Sequence, residues 1–195
     1  MTPLQLMRDA SRKVFTDEDG ETFELDLEPG LSHVEIAAFE SQLPCPLPIE
    51  IRELLAYCRG FSGGALDFVD FTGGFAFEYE GFPHGLPFAA DGFGNFWVVD
   101  LMPESKRWGP IYFACHDAPV ILYQSACLAD FLAELFKLNV PPYESLIDDV
   151  REDRLFEVWR NNPGVMSQEE CLRSQDQELR RFAENRPNEL FPPYD

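Results

Sequence analysis

Between Arg59 and Lys106 the chain runs for 46 residues without a single Lys or Arg. The same stretch holds eleven aromatic residues and seven acids, Asp67, Asp70, Glu78, Glu80, Asp91, Asp100 and Glu104. Aromatic and β-branched residues interrupted by Gly, Pro, Asp and Asn favour strands and turns over helices. Leu66–Phe71, Phe75–Glu80, Phe96–Leu101, Ile111–Cys115 and Val120–Tyr123 each read as a strand, and Asp91-Gly92-Phe93-Gly94-Asn95 reads as a turn. Side chains alternate across a strand, so Phe75, Phe77 and Tyr79 share one face and Glu78 and Glu80 the other.

Helical patterns flank this region. Ser32 with Glu35 makes a capping box ahead of Ile36, Phe39 and Leu43 at helical spacing. Pro48 opens a second helix, with Ile51, Leu54, Leu55 and Cys58 on one stripe and Gly60 as its stop. Ser125 caps a third, carrying Leu128, Phe131, Leu132 and Leu135 on a core-facing side. Upstream, a short helix precedes a hairpin turning at Asp19-Gly20, in which Phe23, Leu25 and Leu27 share one face of a strand over 22–28. Helices, then a run of strands, then a helix define an α+β order, distinct from the βα alternation of a parallel sheet. The predicted fold is a single α+β domain with a twisted, mostly antiparallel sheet flanked by helices, plus a C-terminal helical extension. The expected divisions are 1–30, an N-terminal helix and hairpin; 31–138, the α+β domain; and 139–195, a charged helical extension.

Charge narrows the function. The 195 residues carry 35 acids against 15 Lys and Arg, a formal net charge of −20. Nucleic-acid phosphates and anionic lipid surfaces both repel such a chain, so a basic protein is the expected partner. The N-terminal residues lack the basic start and apolar core of a signal peptide, and no apolar run approaches the ~20 residues of a membrane span. A cytoplasmic protein is expected, and the oligomeric state stays open. The five cysteines, Cys45, Cys58, Cys115, Cys127 and Cys171, match neither a zinc framework nor a redox pair and read as free thiols.

No pattern carries catalysis. Cys115-His116-Asp117 places three reactive groups in a row, but neighbours on a strand point to opposite faces, so this is a strand end and turn. His33, His84 and His116 have no metal-binding spacing. Gly92-Phe93-Gly94 precedes a strand, whereas phosphate cradles precede a helix. No catalytic residue, cofactor or metal is predicted. The candidate partner-binding residues are Asp67, Asp70, Glu78, Glu80 and Asp91, taken as exposed acids of the sheet, with Phe82 as an aromatic anchor. The alternative is that these acids only keep the sheet soluble and its edges unpaired.

Several segments together resemble the SUKH superfamily: Leu43-Pro44, then Leu47-Pro48-Ile49-Glu50-Ile51-Arg52-Glu53-Leu54-Leu55, Gly63-Gly64, Phe88 to Asn95 ahead of a strand, and Ser125 to Leu135. The resemblance covers 31–138, with Arg59-Gly60 standing where the family usually has Asn-Gly. It implies an α+β fold that works by binding proteins, since the superfamily includes fungal cell-wall-synthesis regulators and bacterial immunity proteins that neutralise toxins. The implied function is a non-enzymatic immunity protein against a basic, nuclease-like toxin. A regulatory scaffold with several weak partners and a metal-dependent hydrolase are the alternatives.

Overall fold

The computed structural model describes residues 1–16, 20–63, 66, 68–75, 82, 84–114 and 121–139. The expected strand over 75–80 beyond Phe75, the Cys115-His116-Asp117 triplet, Cys171 and the C-terminal extension from 140 onward lie outside the described residues.

Helix α1, Pro3–Ala10, is closed at its start by a capping box between Thr2 and Gln5, with Pro3 in the first turn. Leu6, Met7 and Ala10 make its buried side. Helix α2, His33–Glu40, begins as the sequence predicts: the Glu35 carboxylate accepts the Ser32 backbone N–H at 2.8 Å. Hydrogen bonds from Ser32 hold the Glu35 carboxyl below its ordinary pKa. At the other end of α2, Glu40 accepts the Arg52 guanidinium at 2.6 Å and the Leu47 N–H at 3.2 Å. Those bonds fix the proline-rich 44–48 segment and depress the Glu40 pKa, with Arg52 the larger cause. They also set α2 beside α3, Ile49–Tyr57, which follows Pro48 and buries Ile51, Leu54 and Leu55. Helix α1 docks on α3, where the Ser11 and Tyr57 hydroxyls lie 3.0 Å apart and the Arg8 guanidinium sits 5.4 Å from the Tyr57 ring centre.

Helix α3 ends at Tyr57, before the expected stop at Gly60, and Cys58–Ser62 is strand β4. The sheet wins because Cys58 and Phe61 bury completely against it, paired with Pro29 and Leu27 of the neighbouring strand. Two β4 residues, Arg59 and Gly60, oppose the single Glu28, which is a β-bulge. A Cβ on Gly60 would stand 1.9 Å from the Val69 carbonyl oxygen, so close strand approach, and no helix end, requires that glycine.

Among the described residues the main sheet has seven strands in sequence order, every neighbouring pair antiparallel. They are β3 (Asp26–Pro29), β4, β5 (Phe68–Asp70), β6 (Gly85–Ala90), β7 (Phe96–Met102), β8 (Arg107–Ala114) and β9 (Ile121–Ser125). The strand expected over 22–28 is divided. Thr22–Phe23 is β2, paired with β1 (Phe15–Thr16) in a separate ribbon, while β3 forms the edge of the main sheet. Leu25 and Leu27 still pack on the core, but Phe23 turns to Phe15, ring centres 5.4 Å apart. With this sheet and four helices flanking it or one another, the described residues form a single α+β domain, as predicted.

One face of the sheet meets the helices. Trp97, Val99, Ile111 and Phe113 bury there with α4, Leu128–Leu135, whose Phe131 ring meets Phe88 edge-on at 4.9 Å. Each such side chain contributes about 1.5–3 kcal/mol by leaving water. A bulge between Pro87 and Ala89 turns both Phe88 and Ala89 onto this face. Trp97 Nε1 donates to Gln124 Oε1 at 3.2 Å, so the buried indole keeps a partner. Ser125 ends β9 and does not cap α4; the cap position is Cys127, and Ser125 Oγ donates to its carbonyl. The opposite face is also covered: Val98 and Tyr112 are buried, Phe82 lies against Tyr112, and Phe68, Phe75 and Phe96 form an edge-on row.

Candidate functional site

An Asp at the end of a strand can fold its carboxylate onto backbone N–H groups just ahead of it and so build a turn. Two predicted site residues do this. Asp70, at the end of β5, accepts from the Thr72 N–H at 2.8 Å and from the Thr72 hydroxyl. Its carboxylate is 7% exposed and 3.5 Å from Arg59 Nε, an ion pair too poorly aligned to be a hydrogen bond. Arg59 also stands 3.7 Å from Glu28. Gly73, at φ +74°, and Gly74, where a Cβ would meet Asp70 Oδ2 at 2.7 Å, complete the turn. Asp70 is therefore an inward structural acid, and the expectation of an exposed contact is corrected by its burial among its own partners.

Asp91, at the end of β6, uses the same chemistry at the opposite end of the sheet. Its Oδ1 accepts the N–H groups of Phe93 at 2.9 Å and Asn95 at 3.1 Å, and its Oδ2 accepts Asn95 Nδ2 at 2.6 Å. Gly92 and Gly94 take left-handed φ values of +78° and +95°. The predicted turn is present, but the Asp91 carboxylate works first on its own loop. Phe93 is lifted to the tip, 80% exposed.

The other predicted residues divide. Phe82 is 4% exposed and packed on Tyr112 at 5.6 Å, which corrects its expected role as an exposed anchor: its ring helps cover the sheet. Asp67, Glu78 and Glu80 lie outside the described residues. Among the described residues the aromatic that reaches solvent is Phe93, which was not among the predicted site residues. Its signal was present: a ring flanked by two glycines inside an Asp-Gly-x-Gly-Asn turn has no neighbour with which to form a core.

Charge is polarised along the strands. The paired row Asp26↔Ser62, Phe68↔Ala90, Ala90↔Phe96, Phe96↔Ala114 and Ala114↔Ile121 marks the Phe93 end and contains no cation. Arg59 sits near the other end, and so do Lys106 and Arg107 in the β7–β8 hairpin. Exposed Glu24 and Asp26 add acid at the Phe93 end.

Among the described residues no group of three or more His, Cys, Asp or Glu side chains could hold a metal ion. The thiols of Cys45, Cys58 and Cys127 are free, and burial pushes that of Cys58 up to about 12. No helix among the described residues is long and apolar enough to cross a membrane.

Neither a curated protein nor a solved structure matches the chain. The model of the SMI1 / KNR4 family (SUKH-1) matches residues 30–134, beginning at the residue after β3 and closing within α4. That span is more than half of the sequence and contains six of the seven sheet strands, and the chain belongs to this family.

Proposed function

We propose that this protein is a non-enzymatic, acidic protein-binding module of the immunity type, acting in the cytoplasm to neutralise a basic, nuclease-like toxin. Its family is consistent with that role. The observation that carries the reading is the end of the sheet whose described strand row holds no cation, where the Asp91 turn bears an exposed aromatic ring. A nuclease presents cations where phosphates bind, and carboxylates held on a folded surface can occupy those positions. Asp67, Glu78 and Glu80, in the same cation-free sequence, are the proposed acidic contacts.

The test is recovery of partners on the full chain from its source cells, followed by assay of the recovered protein's toxicity with and without added chain. One basic protein held in near-equal amount, and inactivated by the chain, supports the proposal. Several weakly held proteins with no toxicity favour a regulatory scaffold. Hydrolysis that needs a divalent cation and is lost with one carboxylate favours an enzyme.

A further inference from the structure

A single apolar side chain in water is ordinary on a protein surface. Phe93 differs in its carrier. An exposed tip made of Gly, Phe and Gly is flexible unless something ties it down, because glycine leaves the backbone free. Here the Asp91 carboxylate ties it through the Phe93 and Asn95 N–H groups and the Asn95 side chain, and the Asp91 N–H reaches the Asn95 carbonyl at 3.4 Å. The ring is thus held out on a short stem whose backbone is ordered before any encounter. Binding through such a ring avoids the entropy of ordering a loop, and aromatic anchors of this kind dominate interface energetics.

We propose that the Asp91–Asn95 turn is the recognition anchor of this protein, with Phe93 entering an apolar pocket rimmed by Lys or Arg on a basic protein partner. Asp91 is the positioning residue that aims the ring. The inference rests on the protein-binding reading above and adds to it the contact point and the shape of its complement. Charge selects the occupant. A second copy would bring one chain of net charge −20 against another, and anionic lipid would meet the same excess of acid, so both are repelled. A cation at the pocket rim gains from the chain's net charge of −20 and from the face of the ring.

The probe is the basic protein recovered with the wild-type chain, purified separately and titrated against full-length variants. Phe93→Ser should weaken binding about 30-fold or more, as loss of a central anchor does, with the melting temperature unmoved. Asp91→Ala should weaken it about tenfold while amide hydrogen exchange at Phe93 and Asn95 speeds up. Asp91→Asn should restore most of both, since an amide oxygen can still accept the two backbone bonds. Val34→Ser, at another exposed apolar residue, should change nothing. Phe93→Ser binding within twofold of wild type overturns the anchor and leaves the function reading standing. A wild-type dimer dissolved by Phe93→Ser, or retention of the wild type on vesicles of phosphatidylserine, overturns it in favour of those occupants. If the chain retains no stoichiometric basic protein, the function reading fails and the anchor fails with it.

Discussion

Two Asp-initiated, glycine-bearing turns close opposite ends of this sheet, and their fates diverge. At Asp70 the carboxylate serves Thr72 and faces Arg59, and the next residue, Phe71, is buried. At Asp91 the carboxylate serves its own loop with no described cation nearby, and the ring it supports points into water. The local chemistry is the same in both. What differs is the neighbouring strand: β4 brings Arg59 across a bulge to Asp70, while the described row beside Asp91 offers no cation. An Asp-Gly turn therefore says where the chain reverses, and the adjoining strand decides whether the turn belongs to the core or to the surface.

Breaking the inward turn should have the largest effect on folding. Asp70→Ala strands the Thr72 donors and leaves Arg59 with only its longer contact to Glu28, and is expected to cost about 2–3 kcal/mol, read from the urea midpoint. A midpoint unchanged from wild type would mean that Asp70 is as dispensable as an ordinary surface acid. Breaking the outward turn with Asp91→Ala should cost only about 1 kcal/mol by the same assay, because water replaces the lost acceptor. Phe93→Ser should move stability by no more than about 0.5 kcal/mol, the range of an ordinary surface change. If it destabilises as much as Asp70→Ala, the ring is packed and the contrast between the turns disappears.

Alkaline titration sharpens the same contrast. Cys58 lies on the core side of the bulge that carries Arg59, and burial raises its thiol to about 12. An unfolded chain releases that proton near about pH 8.5, so the folded form binds the extra proton across the interval. Stability should fall as pH climbs from about 8.5 toward about 12, and Cys58→Ala should flatten that fall. The profile of Phe93→Ser should run parallel to wild type, since the outward turn holds no thiol.

Features set by near neighbours were legible in the sequence. The Ser32–Glu35 box, the helix opened by Pro48 and the reversal at Asp91-Gly92 each depend on residues within a few positions, and each stands where it was expected. The apolar side of α4 was equally plain, because helical spacing alone marks it. Features set by distant strands were not. Gly60 looks like a helix stop until Val69 arrives against it, and Ser125 looks like a cap until β8 recruits it into the sheet. Asp70 looks like any surface acid until Arg59 and Thr72 surround it. Phe82 looks like an exposed loop aromatic until Tyr112 packs against it, whereas the glycines on either side of Phe93 already mark that ring for the surface.

The order of the strands carries a consequence for how the molecule assembles. Each described strand of the main sheet pairs with its predecessor in sequence, β4 reaching β3 across the 30–57 segment and the later strands across shorter connections, so most of the cost of closing loops is met in small steps. The exception is α1, which rests against both α3 and α4 and so joins the first described residues to α4, beyond the last described strand. On a ribosome the sheet can grow strand by strand as the chain emerges. The three-helix seam cannot close until α4 has followed β9 out, which places the closing of that seam after the last described strand.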